Sequence, residues 1–340
     1  MTAAEPIIAQ AALEIIAGRL IGQPVLPLRL LASKGNNRVF RVETANGDNY
    51  ILKSYAPPGH DCRDRIGTEY RALVFMRSFG IEIVPRPVGV DFEARVAVYD
   101  WQEGEPANDN PCDDDIGQAA DFLATLKNLG DQQEAGSVPL ASEACLSAWE
   151  IERQILVRFE KLSALKQEPE LASYLANEFA PALSERLRAA KNACLETGQS
   201  WQDDLPRKHR TLNPSDFGLH NAIRTPGGLF FIDFEYFGWD DPIKMLCDFF
   251  LHPGMNLSVE RKRMFLQKMS PCFHGDPNFE IRLALLYPLY ALRWSMILLN
   301  EFFPHKWACR ELAGQTNWPA VKARQLAKAR AMLKNESLAI

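Results

Sequence analysis

The sequence predicts an α+β protein with a small β-rich N-terminal part and a larger, mostly helical remainder. Between positions 28 and 103 the apolar residues form short runs separated by turn residues, a pattern typical of β-strands. From position 116 onward they recur every three or four residues, which indicates amphipathic helices. An acidic, proline-containing stretch separates the two patterns. We therefore predict two lobes, residues 1–103 and 104–340.

The composition is that of a globular protein without an evident nucleic-acid partner. The 340 residues are 47% hydrophobic and 24% charged, and the net charge of −5 provides no basic field for a polyanion. The seven cysteines are scattered without C-x-x-C spacing, which disfavours a zinc cluster and suits a reducing compartment. No signal peptide is evident, and the apolar stretch 283–299 contains Arg293 and indicates a core helix. We predict a cytoplasmic protein without a membrane span.

The N-terminal part begins with helix-type and then strand-type patterns. Residues 7–20 carry apolar side chains at helical spacing and predict a leading packing helix. Residues 39–42 and 50–53 flank Asn46-Gly47, the strongest short signal for a β-hairpin. Two further strands are predicted at 84–90 and 95–101, which completes a small antiparallel sheet.

A lysine at the end of the second strand has a candidate partner in the following helix. Residues 61–79 predict a helix, with Glu69 at the margin of its apolar face. A carboxylate directed at a core requires a cation, and Lys53 is the nearest candidate. The alternative is a solvated glutamate at the edge of the apolar stripe.

Helices account for most of the remainder. Their charged residues are typical of solvated faces. The predicted helices cover residues 116–129, 146–165, 170–197, 259–269, 280–302 and 320–334.

The residues with the clearest chemical signal lie between positions 212 and 242. Asp216 and Asn221 are five positions apart in a predicted loop, and a turn at 225–228 leads into an apolar run that ends on Asp233. Two strands joined by this turn bring Asp233 back beside Asn221. Two acids and an amide are the groups that Mg²⁺-dependent phosphoryl transfer uses, one acid to orient the attacking hydroxyl and the others to hold the metal.

The spacing assigns these roles. A catalytic aspartate, then four intervening residues, then an asparagine is the pattern of the kinase catalytic loop, and Asp216…Asn221 has it. The letters Asp-Phe-Gly at 216–218 also spell a kinase metal-binding triplet. That interpretation requires an upstream Asp with Asn five positions later, and Asp203 and Asp204 do not provide one. Asp216 is therefore the predicted base, and Asn221 and Asp233 are the predicted metal ligands.

These motifs resemble the aminoglycoside phosphotransferase and choline kinase-like family, the small-molecule branch of the protein kinase-like fold. The matching segments are Ser215-Asp216, His220-Asn221, the run 231–235 (Phe-Ile-Asp-Phe-Glu) and the run 238–242 (Gly-Trp-Asp-Asp-Pro). The resemblance spans about residues 28–301 and is specific in this block. The sequence differs from the family pattern at two positions. Pro214 stands where a histidine is usual, and Asp248 lies farther beyond Pro242 than the family's later aspartate.

The resemblance implies a two-lobed, ATP- and Mg²⁺-dependent kinase of small molecules. Lys53 and Glu69 are then the ion pair at the nucleotide phosphates. The loop at 33–37 covers the phosphates, although an ordinary polar turn has the same sequence features. The connection near 99–102 meets the adenine. The implied nucleotide-binding residues are Lys53, Glu69, Gly35, Asn36, Tyr99 and Trp101.

The acceptor is expected between residues 212–242 and the predicted helices at 259–269 and 280–302. Candidate wall residues are Trp239, Asp240, Trp294 and Glu301. Because a ring of many acids is not obvious, a sugar or another hydroxylated metabolite is the first expectation and an amino alcohol the second. Arg293 and Asn300 are further candidates, while Asp248 is given only helix support.

Three other functions fit parts of the sequence. A protein kinase is disfavoured because no Asp-Phe-Gly and Ala-Pro-Glu pair follows Asn221. A catalytically inactive, kinase-shaped module that binds nucleotide or a small molecule is compatible with Pro214 and the glycine-poor loop. An unrelated interaction protein would show no thermal shift with nucleotide.

Overall fold

The structure, a computed structural model, describes residues 8–34, 37–56, 63–108, 111–307, 316–335 and 338, with the side chains of 32–34 excepted. The described chain divides into two compact units. The first contains the described residues up to position 108 together with 221–237. The second contains the described residues in 111–220, 238–307 and 316–338. Segment 221–237 thus belongs with the N-terminal residues although it lies far along the chain.

The first unit is built on an antiparallel sheet. Its elements are α1 (Gln10–Ile21), β1 (Arg29–Lys34), β2 (Asn37–Glu43), β3 (Asn49–Tyr55), α2 (Arg65–Ser78), β4 (Pro87–Asp91), β5 (Val96–Asp100), β6 (Glu105–Pro106), β8 (Ala222–Thr225) and β9 (Gly228–Phe231). In the described part of the chain five strands follow the order β1-β2-β3-β5-β4. The β2–β3 hairpin turns at Gly47, whose φ of +86° favours glycine. Lys53 is thereby paired with Val39.

The helices of this unit cover or flank the sheet. One face of α1 packs through Leu13 and Ala17 on the buried sheet residues Phe40, Val42 and Leu52. The helix predicted at 61–79 begins at Arg65, because the Asp64 side chain accepts a hydrogen bond from the Gly67 N–H and caps it. Both helices bury apolar side chains against strands, as the sequence pattern predicts.

A second, smaller sheet contains the strands between Asn221 and Asp233. β8 and β9 form a hairpin in which Thr225 pairs with Gly228, and β6 pairs with β8. The Ile232 N–H donates to the Asn221 carbonyl at 2.9 Å, so the pairing continues past the strand ends. The chain leaves this hairpin at Asp233. The predicted return of the Asp233 segment to Asn221 is therefore present in the backbone.

The second unit is mostly helical. Its helices are α3 (Asp113–Leu129), α4 (Ala148–Ser163), α5 (Pro169–Tyr174), α6 (Ala180–Thr197), α7 (Pro242–Leu251), α8 (Val259–Met269), α9 (Phe279–Leu298) and α10 (Trp318–Leu333), and its strands β7 (Thr211–Asn213) and β10 (Gly238–Asp240) pair antiparallel. The single helix predicted at 170–197 contains a π-helical turn at Leu175–Phe179 between α5 and α6. Pro181 offers no N–H to continue the α-helical pattern, and the Ala180 N–H donates to the Leu175 carbonyl instead.

One helical stretch of the described chain, Phe279–Phe302, is long and apolar enough to cross a membrane by length and composition. In the structure 72% of its most apolar window is buried, as in the core helix of a globular protein. Tyr287, Tyr290 and Leu292 are among its buried residues, in agreement with the predicted core role.

Gly238 lies where two backbone segments approach closely. The Trp239 N–H donates to the Pro139 carbonyl at 2.9 Å, and the Ala141 N–H donates to the Trp239 carbonyl at 3.0 Å. A Cβ built on Gly238 would lie 2.4 Å from the Ala141 nitrogen and 2.6 Å from the Pro139 oxygen. Because both atoms belong to the backbone, a side chain at this position requires the backbone to shift.

We expect Gly238→Ala to destabilise the protein by about 1–3 kcal/mol, the usual cost of overpacking. The matched control is Gly136→Ala, because a Cβ on Gly136 meets nothing within 4 Å. Urea denaturation of both variants measures the difference. Equal free energies of unfolding for the two would contradict the close approach.

Candidate active site

A buried lysine organises the chemistry of the first unit. Lys53 on β3 is 8% exposed, and its Nζ lies 2.7 Å from Glu69 Oε2, 2.6 Å from Asp233 Oδ1 and 3.7 Å from Glu235 Oε2. Burial alone would lower the pKa of Lys53, but the attraction of the three carboxylates raises it well above the ordinary value. The ammonium is therefore charged and fixed in place.

Glu69 is the interior partner of this lysine. It accepts hydrogen bonds from Lys53, from the Tyr55 hydroxyl at 2.5 Å and from the Phe234 N–H at 3.3 Å. Burial raises the pKa of Glu69, while Lys53 opposes the shift. The predicted contact between Lys53 and Glu69 is thus present. Its role with nucleotide stays a prediction.

Glu235 completes the cluster and was given no role in the sequence prediction. Its carboxylate accepts from Asn37 Nδ2 at 2.6 Å and from Arg65 at 3.1 Å. Asp233 and Glu235 are two positions apart in the segment that follows β9, where Asp233 is left-handed with a φ of +71°. That spacing was the available signal, although the motif Ile-Asp-Phe-Glu alone does not identify the partners of its glutamate.

The donor set of this cluster suits a hard divalent cation. Oxygen atoms of Glu69, Asp233 and Glu235 all lie within 4.8 Å of one another. Carboxylate oxygens are the ligands that Mg²⁺ prefers. The Asp233 side chain is 34% exposed, whereas those of Glu69 and Glu235 are buried, so Asp233 is the accessible carboxylate of the cluster.

The other predicted nucleotide residues are placed differently. Gly35 and Asn36 lie outside the described residues. The Tyr99 side chain is buried and its hydroxyl lies 2.9 Å from that of Tyr55, so only its backbone suits contact with a base. Trp101 follows β5, and the Arg41 guanidinium lies 4.6 Å from the centroid of its ring.

In the second unit the loop that carries Asp216 is held by its neighbours. The Asn213 side chain donates to Asp240 Oδ2 at 3.0 Å and accepts from the Ser215 N–H at 2.9 Å. Phe217 is buried, with its ring centroid 5.7 Å from that of Phe122. Ser215 is left-handed, with a φ of +71°. The letters Asp-Phe-Gly therefore mark a loop that is tied down on both sides of Asp216.

Asp216 lies beside two histidines. His220 Nε2 is 3.2 Å from Asp216 Oδ1, and His252 Nε2 is 3.9 Å from the same oxygen. The two imidazoles are stacked, with centroids 4.0 Å apart. His220 belongs to one of the segments that resemble the family, and it lies within the loop itself. His252, at the end of α7, was not predicted, because its contact with Asp216 spans 36 positions of sequence.

Two predicted wall residues do not fit contact with a substrate. Asp240 is fully buried, accepting from the Cys145 N–H at 2.9 Å and pairing with Lys244 at 3.0 Å. Trp239 is 3% exposed, and its Nε1 donates to the Ala135 carbonyl. Both side chains are buried because β10 pairs with β7 on one side and with the segment 139–141 on the other. They therefore stabilise the second unit.

Trp294 and Glu301 have structural partners as well. Trp294 is half-buried and its Nε1 donates to Asp248 Oδ1 at 2.8 Å. Glu301 is 8% exposed and its carbonyl accepts from Trp318 Nε1. Asp248 pairs with Lys244 on its own helix at 2.9 Å, and it does more than support that helix because it also accepts the hydrogen bond from Trp294 on α9. It joins α7 to α9.

Solved structures of other proteins share the fold of this chain. The chain is similar to choline kinase LicA from Streptococcus pneumoniae, with 17% identity, 95% of this chain and 99% of that chain covered, and a TM-score of 0.57. It is similar to macrolide 2′-phosphotransferase MphH from Brachybacterium faecium, with 17% identity, 96% and 97% coverage and a TM-score of 0.57. A spectinomycin phosphotransferase, APH(9)-Ia, in complex with ADP and spectinomycin, has 13% identity, 98% and 97% coverage and a TM-score of 0.60. At these identities the likeness establishes the kinase-like α+β fold.

The family follows from the sequence match. Residues 27–253 match the model of the phosphotransferase enzyme family. The chain belongs to that family, and the predicted resemblance and fold class are confirmed. Among curated proteins, no match is found.

His252 makes the stability of the protein depend on pH. Burial, followed by repulsion from His220, lowers the pKa of His252 from its ordinary value of 6.5 to about 4, against the attraction of Asp216 and Asp248. The unfolded chain therefore binds the proton more readily than the folded chain. The contribution of His252 to the free energy of unfolding is therefore fully present above pH 6.5, and it is lost as the pH falls toward 4.

Glutamine does not titrate in this range. Between pH 7 and pH 4.5 we therefore expect the free energy of unfolding to fall by roughly 2–3 kcal/mol more in the wild type than in His252→Gln. Urea unfolding at the two pH values measures this difference. The other charged neighbour, Lys328, is present in both proteins and cancels in the comparison. Parallel pH dependence in the two proteins would contradict the shift.

Proposed function

We propose that this protein transfers the γ-phosphate of ATP to a hydroxyl group of a small molecule. The observation that carries the proposal is the buried Lys53, held charged by Glu69, Asp233 and Glu235. Membership of the phosphotransferase enzyme family supports it. A buried ammonium beside an accessible carboxylate is an arrangement suited to nucleotide phosphates and their metal ion.

The first unit supplies the nucleotide-binding groups of the proposal. Lys53 binds the α- and β-phosphates and is fixed by Glu69. Asn221 and Asp233 are the residues that would hold Mg²⁺, which when bound offsets negative charge on the phosphates. We propose residues 1–103 as the nucleotide-binding lobe, with the loop at Gly35 and Asn36 and the backbone from Tyr99 to Trp101 as further contacts, and residues 104–340 as the acceptor lobe.

Asp216 positions the acceptor hydroxyl and receives its proton as the phosphoryl group leaves ATP. Phosphoryl transfer needs alignment and electrostatic stabilisation more than covalent catalysis. The fixed loop supports this role, because Asn213 and Phe217 hold both sides of Asp216. A base on a rigid loop loses little conformational entropy when substrate binds.

We propose a sugar or another hydroxylated metabolite as acceptor, with an amino alcohol second. Similar structures are named for choline, spectinomycin and macrolide phosphorylation, so the fold accommodates hydroxyl acceptors of very different size. The test is release of ADP and transfer of phosphate over a panel of sugars, amino alcohols and hydroxylated antibiotics with Mg·ATP. Binding of nucleotide without transfer to any acceptor would favour a non-catalytic module.

We expect Asp216→Asn to lower kcat by about 10²–10⁴-fold, the usual contribution of general base catalysis, and to leave ATP affinity unchanged. The measurement is phosphate transfer at saturating acceptor, with nucleotide binding followed separately. The matched control is Asp204→Asn, because Asp204 is 64% exposed and contacts Arg210 only at 3.9 Å. Persistent turnover in Asp216→Asn would show that another group is the base.

We expect Asp233→Ala to weaken Mg·ATP binding by about tenfold or more, because it removes the accessible carboxylate of the cluster. Lys53 keeps Glu69 and Glu235 as partners, so the fold persists. Calorimetric titration with Mg·ATP measures the affinity, and Asp48→Ala is an exposed control in the same unit. Unchanged affinity would refute the metal role of Asp233.

A further inference from the structure

Two stacked histidines each direct a ring nitrogen toward the same oxygen of Asp216. His220 and His252 come from separate parts of the second unit, and their ring planes differ by 9°. Their Nε2 atoms lie 3.2 and 3.9 Å from Asp216 Oδ1. The roles proposed above make no use of His252.

The position of the proton on His252 follows from a backbone contact. The Gly254 N–H donates to His252 Nδ1 at 3.1 Å. A ring nitrogen that accepts a hydrogen bond carries no proton, so the neutral imidazole carries its proton on Nε2. With a pKa lowered to about 4, the ring is neutral at pH 7. The N–H of a neutral ring thus faces the carboxylate.

The ring of His252 is held in this orientation. Its centroid lies 5.1 Å from that of Trp294, with the two planes at 89°. Trp294 is itself fixed by the hydrogen bond to Asp248, and the His252 side chain is 19% exposed. An imidazole packed between His220 and Trp294 has little freedom to rotate its N–H away from Asp216.

A metal ion on these three side chains is the competing interpretation. Ligand atoms of Asp216, His220 and His252 lie within 4.8 Å of one another. A histidine that binds a metal through one nitrogen donates the N–H of the other to an acceptor. At His252 the polarity is reversed, because Gly254 presents a donor to Nδ1. The geometry therefore favours a hydrogen-bonding role.

We propose that His252 is a positioning residue for Asp216, directing its Nε2–H at Oδ1 so that the carboxylate presents a fixed orientation to the acceptor hydroxyl. This proposal rests on the proposed function. At 3.9 Å the contact is longer than a hydrogen bond. Such contacts at active sites often tighten when substrate binds. His220, already at 3.2 Å, would hold the same oxygen from the other ring.

The test compares His252→Phe, which keeps an aromatic ring without the N–H, with His252→Gln, which keeps a donor at a similar distance from the backbone. We expect kcat to fall by about 10- to 100-fold in His252→Phe, because a small misplacement of a catalytic group has effects of this size. The KM for ATP should stay unchanged, and His252→Gln should recover most of the rate. A purely structural role would not give this separation of kcat from KM or this rescue.

The outcomes separate the two proposals. If the wild type transfers phosphate and His252→Phe is equally active, the positioning role is wrong and the proposed function stands. If the wild type transfers phosphate to no acceptor, the proposed function fails, and a spectroscopic measurement decides the positioning role. In protein labelled with ¹⁵N at its six histidines, we expect His252 to show the Nε2–H tautomer, with a signal that moves in Asp216→Asn. The Nδ1–H tautomer, or a signal that does not move, would overturn the proposal.

Discussion

The first unit depends on keeping one ammonium group charged without bulk water. An isolated buried ammonium loses its proton or destabilises the fold, so Lys53 requires carboxylates close by. They come from two separate elements, namely α2 with Glu69 and the segment after β9 with Asp233 and Glu235. The requirement for pairing thus adds a polar constraint to the apolar packing of helix, sheet and hairpin within this unit. Removing any one carboxylate leaves the charge of Lys53 less compensated.

The second unit also contains a buried lysine, and a larger polar network compensates its charge. Lys244 is 1% exposed and lies within 3.0 Å of both Asp240 and Asp248. Through these acids it connects the loop anchor Asn213 to Trp294 on α9. Buried ion pairs contribute little net stability against apolar replacements, but they strongly disfavour arrangements in which a partner is missing. The network therefore specifies where the Asp216 loop and the end of α7 lie within the unit.

Local sequence patterns predicted much of this structure, and the limits of the prediction are physical. The Asn46-Gly47 hairpin and the β8–β9 hairpin follow from turn chemistry, which acts over a few residues. The contact of Lys53 with Glu69 was inferred because a glutamate at the edge of an apolar face requires a cation. Burial of Asp240 and the approach of His252 to Asp216 depend instead on tertiary packing, on which periodicity carries no information. The burial of Trp239 was not predicted for the same reason, since proximity in sequence to a site does not indicate which face of a strand is covered.

Pro214 illustrates how one loop geometry can be held by different groups. Proline at this position, where the resemblance leads one to expect histidine, offers neither a side-chain hydrogen bond nor a backbone N–H. Here the Asn213 amide binds the Ser215 N–H, and Phe217 stacks in the core, so the constraints lie on either side of position 214. Ser215 is left-handed, a conformation that a non-glycine residue keeps only where its surroundings enforce it. The loop is therefore over-determined at the residue that precedes the proposed base. The contacts of Asn213 and Phe217 therefore support Asp216 without a histidine at position 214.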